Sequence, residues 1–546
     1  MLKKGLFIFS TIVLLSIGSS VKAVQGILFY KSGYYQAAKA LLISESKTNT
    51  QSEAEICYYL GNIYFSENKP DSAEIYFKKG LTADPLFAQN SIGLAMLNMK
   101  TNIVQAETDI KNILKIKKNK KDVNVYVAAG YAYLFNGLDE KALYYQSQAK
   151  KIKSRDASVY VLLGDILAKK SIGDACSNYE LAIYYDENCE EAYVKYARAY
   201  KTVNTKLSIE KLNLLKQKDP GFTLVDKELG DIYYNMNNFK QAAEHYEVYL
   251  QSGNSDIQDL TKYSMTLFLN HDFAKSLEVA KLGIQKAPRN PAFNRLSMYN
   301  NVDLKNREAA LEAADLFFNH SDNPDFTYLD YRYYGQALRD SKQISQATEQ
   351  YIKALSYDST KVELWKDISD MYNENNDYKN AVPAYEKYMK SLSDKDKSAD
   401  VIIALGKLYY SLGKDAISDS LTSKISFLKA DSIFGIIATM EPDGYRGNFW
   451  RARTNSALDP ESTKGLAQPY YTQTVNLIEP KNDERYNSVL IECYSYLGYY
   501  TLLQKDNAGS ILYWEKILKI DPNNATAKKA VDALTKQNKS DKKSKK

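Results

Sequence analysis

The side chains that carry covalent or metal chemistry are scarce in this sequence. In 546 residues there are three histidines (His245, His271 and His320) and four cysteines (Cys57, Cys176, Cys189 and Cys493). A zinc or related centre needs three or four N, S or O donors held together. The histidines are scattered, and no Cys-x-x-Cys or His-Glu-x-x-His spacing occurs. There is no glycine-rich phosphate loop ending in Lys-Ser/Thr, no dinucleotide fingerprint and no nucleophile elbow. The acidic pair Glu190–Glu191 falls at a predicted helix start, where the dipole favours carboxylates without any acid/base role. His245 falls inside a predicted helix and His271 at a turn, so both read as packing or surface residues. Cys176 and Cys189 are expected at opposite ends of one helix, about 20 Å apart at 1.5 Å per residue, too far to bridge. All four cysteines read as small buried hydrophobes. No catalytic residue, metal or cofactor is expected, and an enzyme is not the expected class.

Tyrosine, with 46 copies against 3 tryptophans, is the unusual abundance, while 45% apolar and 25% charged residues are ordinary for a globular chain. The net charge of +6 is unevenly placed. Residues 1–23 carry +3 and the tail 536–546 carries +5, which leaves −2 for 24–535. A nearly neutral body gives no argument for nucleic acid. The lysine-rich tail 536–546 is expected to be disordered.

Lys3 and Lys4 precede the apolar run Leu6 to Ile17, followed by Gly18-Ser19-Ser20 and Val21-Lys22-Ala23. This is the order of a secretory signal peptide cut after Ala23. The run falls short of the roughly 20 residues that span a bilayer. No cysteine stands near the cut, and no other segment is apolar enough to cross. The expected location is the periplasm or cell envelope, with no membrane span after cleavage.

The body repeats itself. Around Leu60-Gly61 the offsets from the glycine are +3 (Tyr64), +12 (Ala73), +16 (Phe77), +19 (Gly80) and +24 (Pro85). They recur around Gly230, Gly335, Ser369 and Gly498. A small anchor is found at Gly26, Gly61, Gly93, Gly130, Gly164, Ala197, Gly230, Ser264, Ser297, Gly335, Ser369, Gly406, Ala452 and Gly498. The intervals run from 32 to 38 residues, except the last two, which are 46. Twelve residues after an anchor stands another small residue: Ala38, Ala73, Ala142, Ala242, Ser276, Ala309, Ala347, Ala381 or Ser510. Two antiparallel helices approach closely where such residues meet, and large residues at +16 and +19 fill the space around them. Glycine costs about 1 kcal/mol in a helix interior, so its return at one spot has a packing cause. Pro85, Pro220, Pro442, Pro480 and Pro522 close repeats. A lone hairpin buries neither face, so hairpins must stack into a solenoid.

This pattern resembles the tetratricopeptide repeat (TPR), a helix–turn–helix unit of 34 residues. The resemblance implies an all-α solenoid, a right-handed superhelix of about fourteen repeats. An N-terminal array is expected over 24–220 and a central array over 221–445, with an insertion near 411–424. C-terminal repeats and a capping helix (from Ala525 to Thr535) complete 446–535. The third and sixth repeats match poorly; Ile209 stands where alanine is expected. Asp459-Pro460 through Tyr471 has the look of exported multi-TPR proteins of the Bacteroidota envelope.

The resemblance further implies a concave face lined by the first helix of each repeat, at three before, one after and four after the anchor. In the second and fourth repeats those positions are Tyr58, Asn62 and Phe65, and Val127, Tyr131 and Leu134. These are the expected partner-binding residues. Further along they are Lys227, Asp231 and Tyr234, then Lys366, Asp370 and Asn373; Lys227/Asp231 and Lys366/Asp370 are expected to pair along their own helices. The carboxylate clamp of one TPR subclass is not matched, since Tyr58 and Asp231 stand where Lys and Asn belong. The function implied is a non-catalytic scaffold binding a peptide or domain of another envelope protein. The alternative is a glycan-binding envelope protein that uses tyrosine stacking.

Overall fold

The computed structural model describes residues 25–47, 52–253 and 256–544. The signal segment expected over 1–23 lies outside them. Chain packing divides the protein into two compact units. One runs to Leu304 with Asn319–Asp322, and the other comprises Lys305–Phe318 and the chain from Asn323. The boundaries expected at 220 and 445 fall at turns between successive hairpins. Among the described residues no strand occurs.

The first unit is built of consecutive helical hairpins. They are α1 (Gln25–Lys31) with α2 (Tyr35–Glu45), α3 (Glu53–Ser66) with α4 (Pro70–Ala83), and α5 (Ala88–Leu97) with α6 (Ile103–Lys115). Then come α7 (Val123–Phe135) with α8 (Asp139–Ile152), α9 (Ala157–Leu167) with α10 (Ile172–Tyr185), and α11 (Glu190–Tyr200) with α12 (Thr205–Lys218). The series ends with α13 (Leu224–Asn235) and α14 (Phe239–Gln251), α15 (Ile257–Leu269) and α16 (Phe273–Lys286), and α17 (Pro291–Asp303).

The second unit starts at α18 (Arg307–His320) and continues with α19 (Tyr328–Asp340) and α20 (Ile344–Tyr357). Next are α21 (Glu363–Glu374) with α22 (Tyr378–Ser391), α23 (Ala399–Asp415) with α24 (Ser420–Met440), and α25 (Arg446–Leu458) with α26 (Gln468–Ile478). It closes with α27 (Asn487–Leu503), α28 (Asn507–Ile520) and α29 (Ala525–Ser544). Every anchor lies in an odd-numbered helix, and all fourteen are buried.

The anchor must be small because of the residue at +16. A methyl group placed on Gly61 would lie 2.3 Å from Phe77 Cε1, and on Gly335 2.2 Å from Tyr351 Cδ1. Gly230 meets Tyr246, Gly498 meets Trp514, and Gly406 meets Phe434 across the insertion in the same way. The large ring at +16 thus lies directly on the backbone of helix A, closer than the small residue at +12 does. Where the anchor is serine its hydroxyl must also be satisfied. Ser264 Oγ donates to the Ser276 carbonyl (2.9 Å), Ser276 Oγ donates back to the Ser264 carbonyl (2.8 Å), and Ser369 Oγ donates to the Ala381 carbonyl (2.7 Å).

Helix A ends seven residues past the anchor, in the left-handed conformation. Gly33, Asn68, Gly137, Asn237, His271, Lys342, Asn376 and Lys505 all have positive φ there. Glycine and asparagine tolerate that backbone best, and histidine is also enriched in it. His271 is therefore a turn residue. Helix B then starts from side-chain caps such as Asn102, Asn204, Asn238, Asp272 and Asp506.

Several details differ from the sequence expectation. Ala309 is exposed and Ala310 is buried in its place. In the poorly matching third and sixth repeats the small buried residue shifts by one, to Ala106 and Ser208. The insertion near 411–424 is helical: it lengthens α23 to 17 residues and α24 to 21. Cys189 is the N-cap of α11 rather than an end of α10. All four cysteines are free and buried. The tail expected to be disordered continues α29 as helix to Ser544, because Lys, Gln, Asn and Ser include no helix breaker to stop it. The first part of α29 caps the last hairpin, with Ala527 and Leu534 buried.

Candidate partner-binding face

The six inner-face residues expected to bind all lie in the first unit, on α3 and α7. Tyr58, Asn62 and Val127 are buried. The Tyr58 ring packs 5.1 Å from Tyr59 and 6.4 Å from Phe87, and burial pushes its hydroxyl up to about 12. Phe65, Tyr131 and Leu134 are half-buried against the same core. Tyr131 stacks on Phe135 at 5.8 Å and donates from its hydroxyl to Asp165 at 2.8 Å.

The first hairpin returns against the sixth and seventh. Ile27, Phe29 and Leu42 share one apolar core with Tyr193, Val194, Ala197 and Leu224. Tyr34, at the α1–α2 turn, donates its hydroxyl to Glu228, a residue 194 positions away. The Arg198 guanidinium sits 4.6 Å from the centre of the Tyr34 ring and donates to Glu228 at 2.9 and 2.6 Å.

Beyond that closure the inner face is polar and its charges form a ladder. Asp165, one after its anchor, pairs with Lys195, two before the next (2.5 Å). Arg198 pairs with Glu228 in the same register (2.6 Å), and Asp231 with Lys262 (2.8 Å). The sign alternates along the ladder, so each rung ties one helix A to the next. Lys227 reaches Asp259 on α15 instead of pairing along its own helix with Asp231. Lys366 and Asp370 do form the expected pair along one helix, at 2.7 Å. Burial pushes the Asp231 carboxyl up, but Lys227, Lys262 and the Tyr246 hydroxyl outweigh it and hold it below the usual carboxylate range. Burial likewise opposes the charge of Lys227, and Asp259 and Asp231 restore it above the ordinary value. Asp226 behaves like Asp231: burial is outweighed by His245, at 2.7 Å, and Lys216, at 2.5 Å.

Between the α1–α2 turn and helices α11, α13 and α15 an open cavity of about 320 Å³ remains, lined by Tyr34, Arg198, Lys201, Asp231, Gln258 and Lys262 among others. Sequence reasoning named Lys227 and Asp231 but not Arg198 or Lys201. Both stand at lining positions of the sixth repeat, one and four after Ala197, and that repeat matched the pattern too weakly to be read. Tyr34 carried no signal, since its role depends on a contact six hairpins away. No group of three or more His, Cys, Asp or Glu suited to a metal occurs among the described residues. No helix among them is long and apolar enough to cross a membrane.

Stacked hairpins with small residues at their crossings and an inner face lined by the first helices define an α-solenoid. Residues 54–85, the α3–α4 hairpin, match the sequence profile of the tetratricopeptide repeat. The chain thus has the all-α fold of a TPR-type solenoid and carries a tetratricopeptide repeat at 54–85. It is similar to the C-terminal part of a TPR repeat-containing protein from Cytophaga hutchinsonii, with 26% identity over 50% of this chain and 99% of that one and a TM-score of 0.39. It is also similar to Pseudomonas aeruginosa PilF, at 18% identity over 36% of this chain and 93% of that one, TM-score 0.31. Yeast Tom70 is similar at 13% identity over 72% and 96%, TM-score 0.28. No curated protein matches the sequence.

Proposed function

We propose that this protein is a non-catalytic scaffold of the periplasm or cell envelope, which holds a segment of another envelope protein against the inner face of its first unit. The observation that carries the reading is the cavity at α11, α13 and α15, where Lys201, Gln258 and Lys262 stand at a surface otherwise closed by packing. Mixed charge on fixed helices selects a partner by charge placement, and the aromatic floor supplies apolar contact. Phe65, Tyr131 and Leu134 remain half-buried on α3 and α7, and Tyr58, Asn62 and Val127 are buried there. Export by the leader would place the scaffold among envelope partners.

The test is site-specific photocrosslinking in intact cells. A photoreactive residue at Gln258 or Lys201 should trap one partner segment reproducibly. The same group at Tyr184, which is 80% exposed on α10, serves as the outer-face control. A partner trapped only at Tyr184, or none at either inner site, overturns the reading. Cell fractionation and the mass of the mature N-terminus test the location; a chain retained in the cytoplasm with residues 1–23 intact would refute that part.

A further inference from the structure

Helix α24 presents an apolar face left exposed among the described residues. At 21 residues it is far longer than the other second helices of the hairpins, which have 11 to 14. Its buried side carries Phe427, Ala430, Phe434 and Ile437. Its opposite side carries Leu421, Ile425, Leu428, Ile436 and Met440, each between 46% and 67% exposed. These fall at steps of four, three, eight and four, so they form one stripe along the helix. Between Leu428 and Ile436 the stripe is bridged by Ser432, also exposed.

The stripe is almost free of charge. Lys429 turns aside to the Tyr409 hydroxyl at 3.0 Å, and Asp431 is held by Arg451 at 3.0 Å and Asn455 at 2.7 Å. Lys424 and Lys429 flank it, and a lysine stem can lie along an apolar contact with its ammonium in water. Five half-exposed aliphatic side chains present several hundred Å², on the order of the ~800 Å² that each member of a stable complex buries.

We propose that α24 is the homodimer contact of this protein, packing antiparallel on α24 of a second copy about a two-fold axis at Ser432. The stripe is self-complementary about that point. Leu428 and Ile436 lie four residues to either side, so each faces the other's counterpart, and Ile425 faces Thr439. The small Ser432 at the centre lets the two helices approach closely. The same register sets Met440 of the second copy opposite Lys424 and Ile425. There it meets a cavity of about 280 Å³ lined by Val382, Pro383, Leu412 and Ile425. The rest of the cavity lining, Lys379, Glu386, Tyr409, Thr422, Ser426 and Lys429, is polar, and a flexible methionine suits an irregular gap of this kind. An isologous contact of this form closes on itself and leaves no repeating edge.

The test is the oligomeric state of the full mature chain by sedimentation equilibrium, from micromolar to about a hundred micromolar. The wild type should have twice the chain mass. Leu428→Lys and Ile436→Lys change exposed positions, so helicity and melting should be retained while the dimer dissociation constant rises at least a hundredfold. Ser432→Cys should give a covalent dimer with a short bis-maleimide; Ile352→Cys, at a 46% exposed site on α20, should not. A monomer throughout the range, a dimer indifferent to both lysines, or equal crosslinking from positions 432 and 352 each overturns the assignment.

Discussion

Phe77 gives the sharpest test of why the anchor must be small. A methyl group on Gly61 would lie 2.3, 2.6 and 2.7 Å from three atoms of its ring, and one on Gly93, on the next hairpin, 2.4 Å from the same Cε1. The ring is fully buried between two glycines, so it cannot move off one backbone without striking the other. Gly61→Ala should therefore destabilise α3–α5 by overpacking, which typically costs about 1–3 kcal/mol. Against it stands the helix-propensity gain of up to about 1 kcal/mol that alanine brings over glycine. The net expectation is a loss of roughly 1–2 kcal/mol, or about a tenfold fall in amide protection in α3 and α4 by hydrogen exchange. Gly173, on α10, has nothing within 4 Å of such a methyl, so Gly173→Ala should be neutral or slightly stabilising. Combining Gly61→Ala with Phe77→Leu should cost less than the sum of the two, because the leucine gives up the space that the methyl needs. Equal effects at Gly61 and Gly173, or strict additivity with Phe77→Leu, would refute the packing account.

Three further outcomes follow from burial and charge. Hydrogen bonds from Lys39 and Lys69 hold the Glu67 carboxyl at about 2, and Asp226 and Asp231 are also held low. A depressed carboxyl stabilises fully above its unfolded value of about 4, and the contribution is lost as pH falls through the folded value. Protection of α13 and α15 should thus be flat from pH 7 to 5 and fall between about pH 4 and 2; no loss in that window would count against the ladder. Burial raises all four thiols, Cys176 to about 11, so a thiol reagent at pH 8 should label none in the folded protein and all four in guanidinium. Deleting from Ala525 onward should uncover the apolar face of α27 and α28 and lower their protection, whereas deleting 536–546 alone should leave it unchanged.

The hairpins were legible because each depends on residues a fixed number of positions apart. Gly61 and Phe77, Gly335 and Tyr351, and Ser369 and Ala381 meet through local geometry that one repeat specifies by itself. The twelve extra residues could be placed between Gly406 and Phe434 but not assigned to loop or helix, since neither glycine nor proline density distinguishes the two there. The ladder was recoverable in principle: Asp165, Arg198 and Asp231 each follow an anchor by one, and their partners each precede the next anchor by two. It went unread because opposite charges some 30 residues apart carry no pattern until the helix register is known.

The inner face was less legible for a geometric reason. The offsets that mark an inner face describe a hairpin and its neighbour, and on that basis Tyr58, Asn62 and Val127 should be open. Whether they are depends on how small rotations between repeats accumulate over ten helices, and no single repeat encodes that sum. Here the accumulation brings Tyr34 onto Glu228 and Arg198, while Tyr58 and Val127 are core with Phe77, Val123 and Val159. A solenoid that closes on its own first hairpin exchanges apolar binding surface for stability. It leaves open only the positions where charge resists burial. That is why the remaining cavity is lined by lysines, an arginine and carboxylates, and why partner choice in this unit should respond to salt and to charge reversal at Lys201 or Lys262 more than to loss of any one tyrosine.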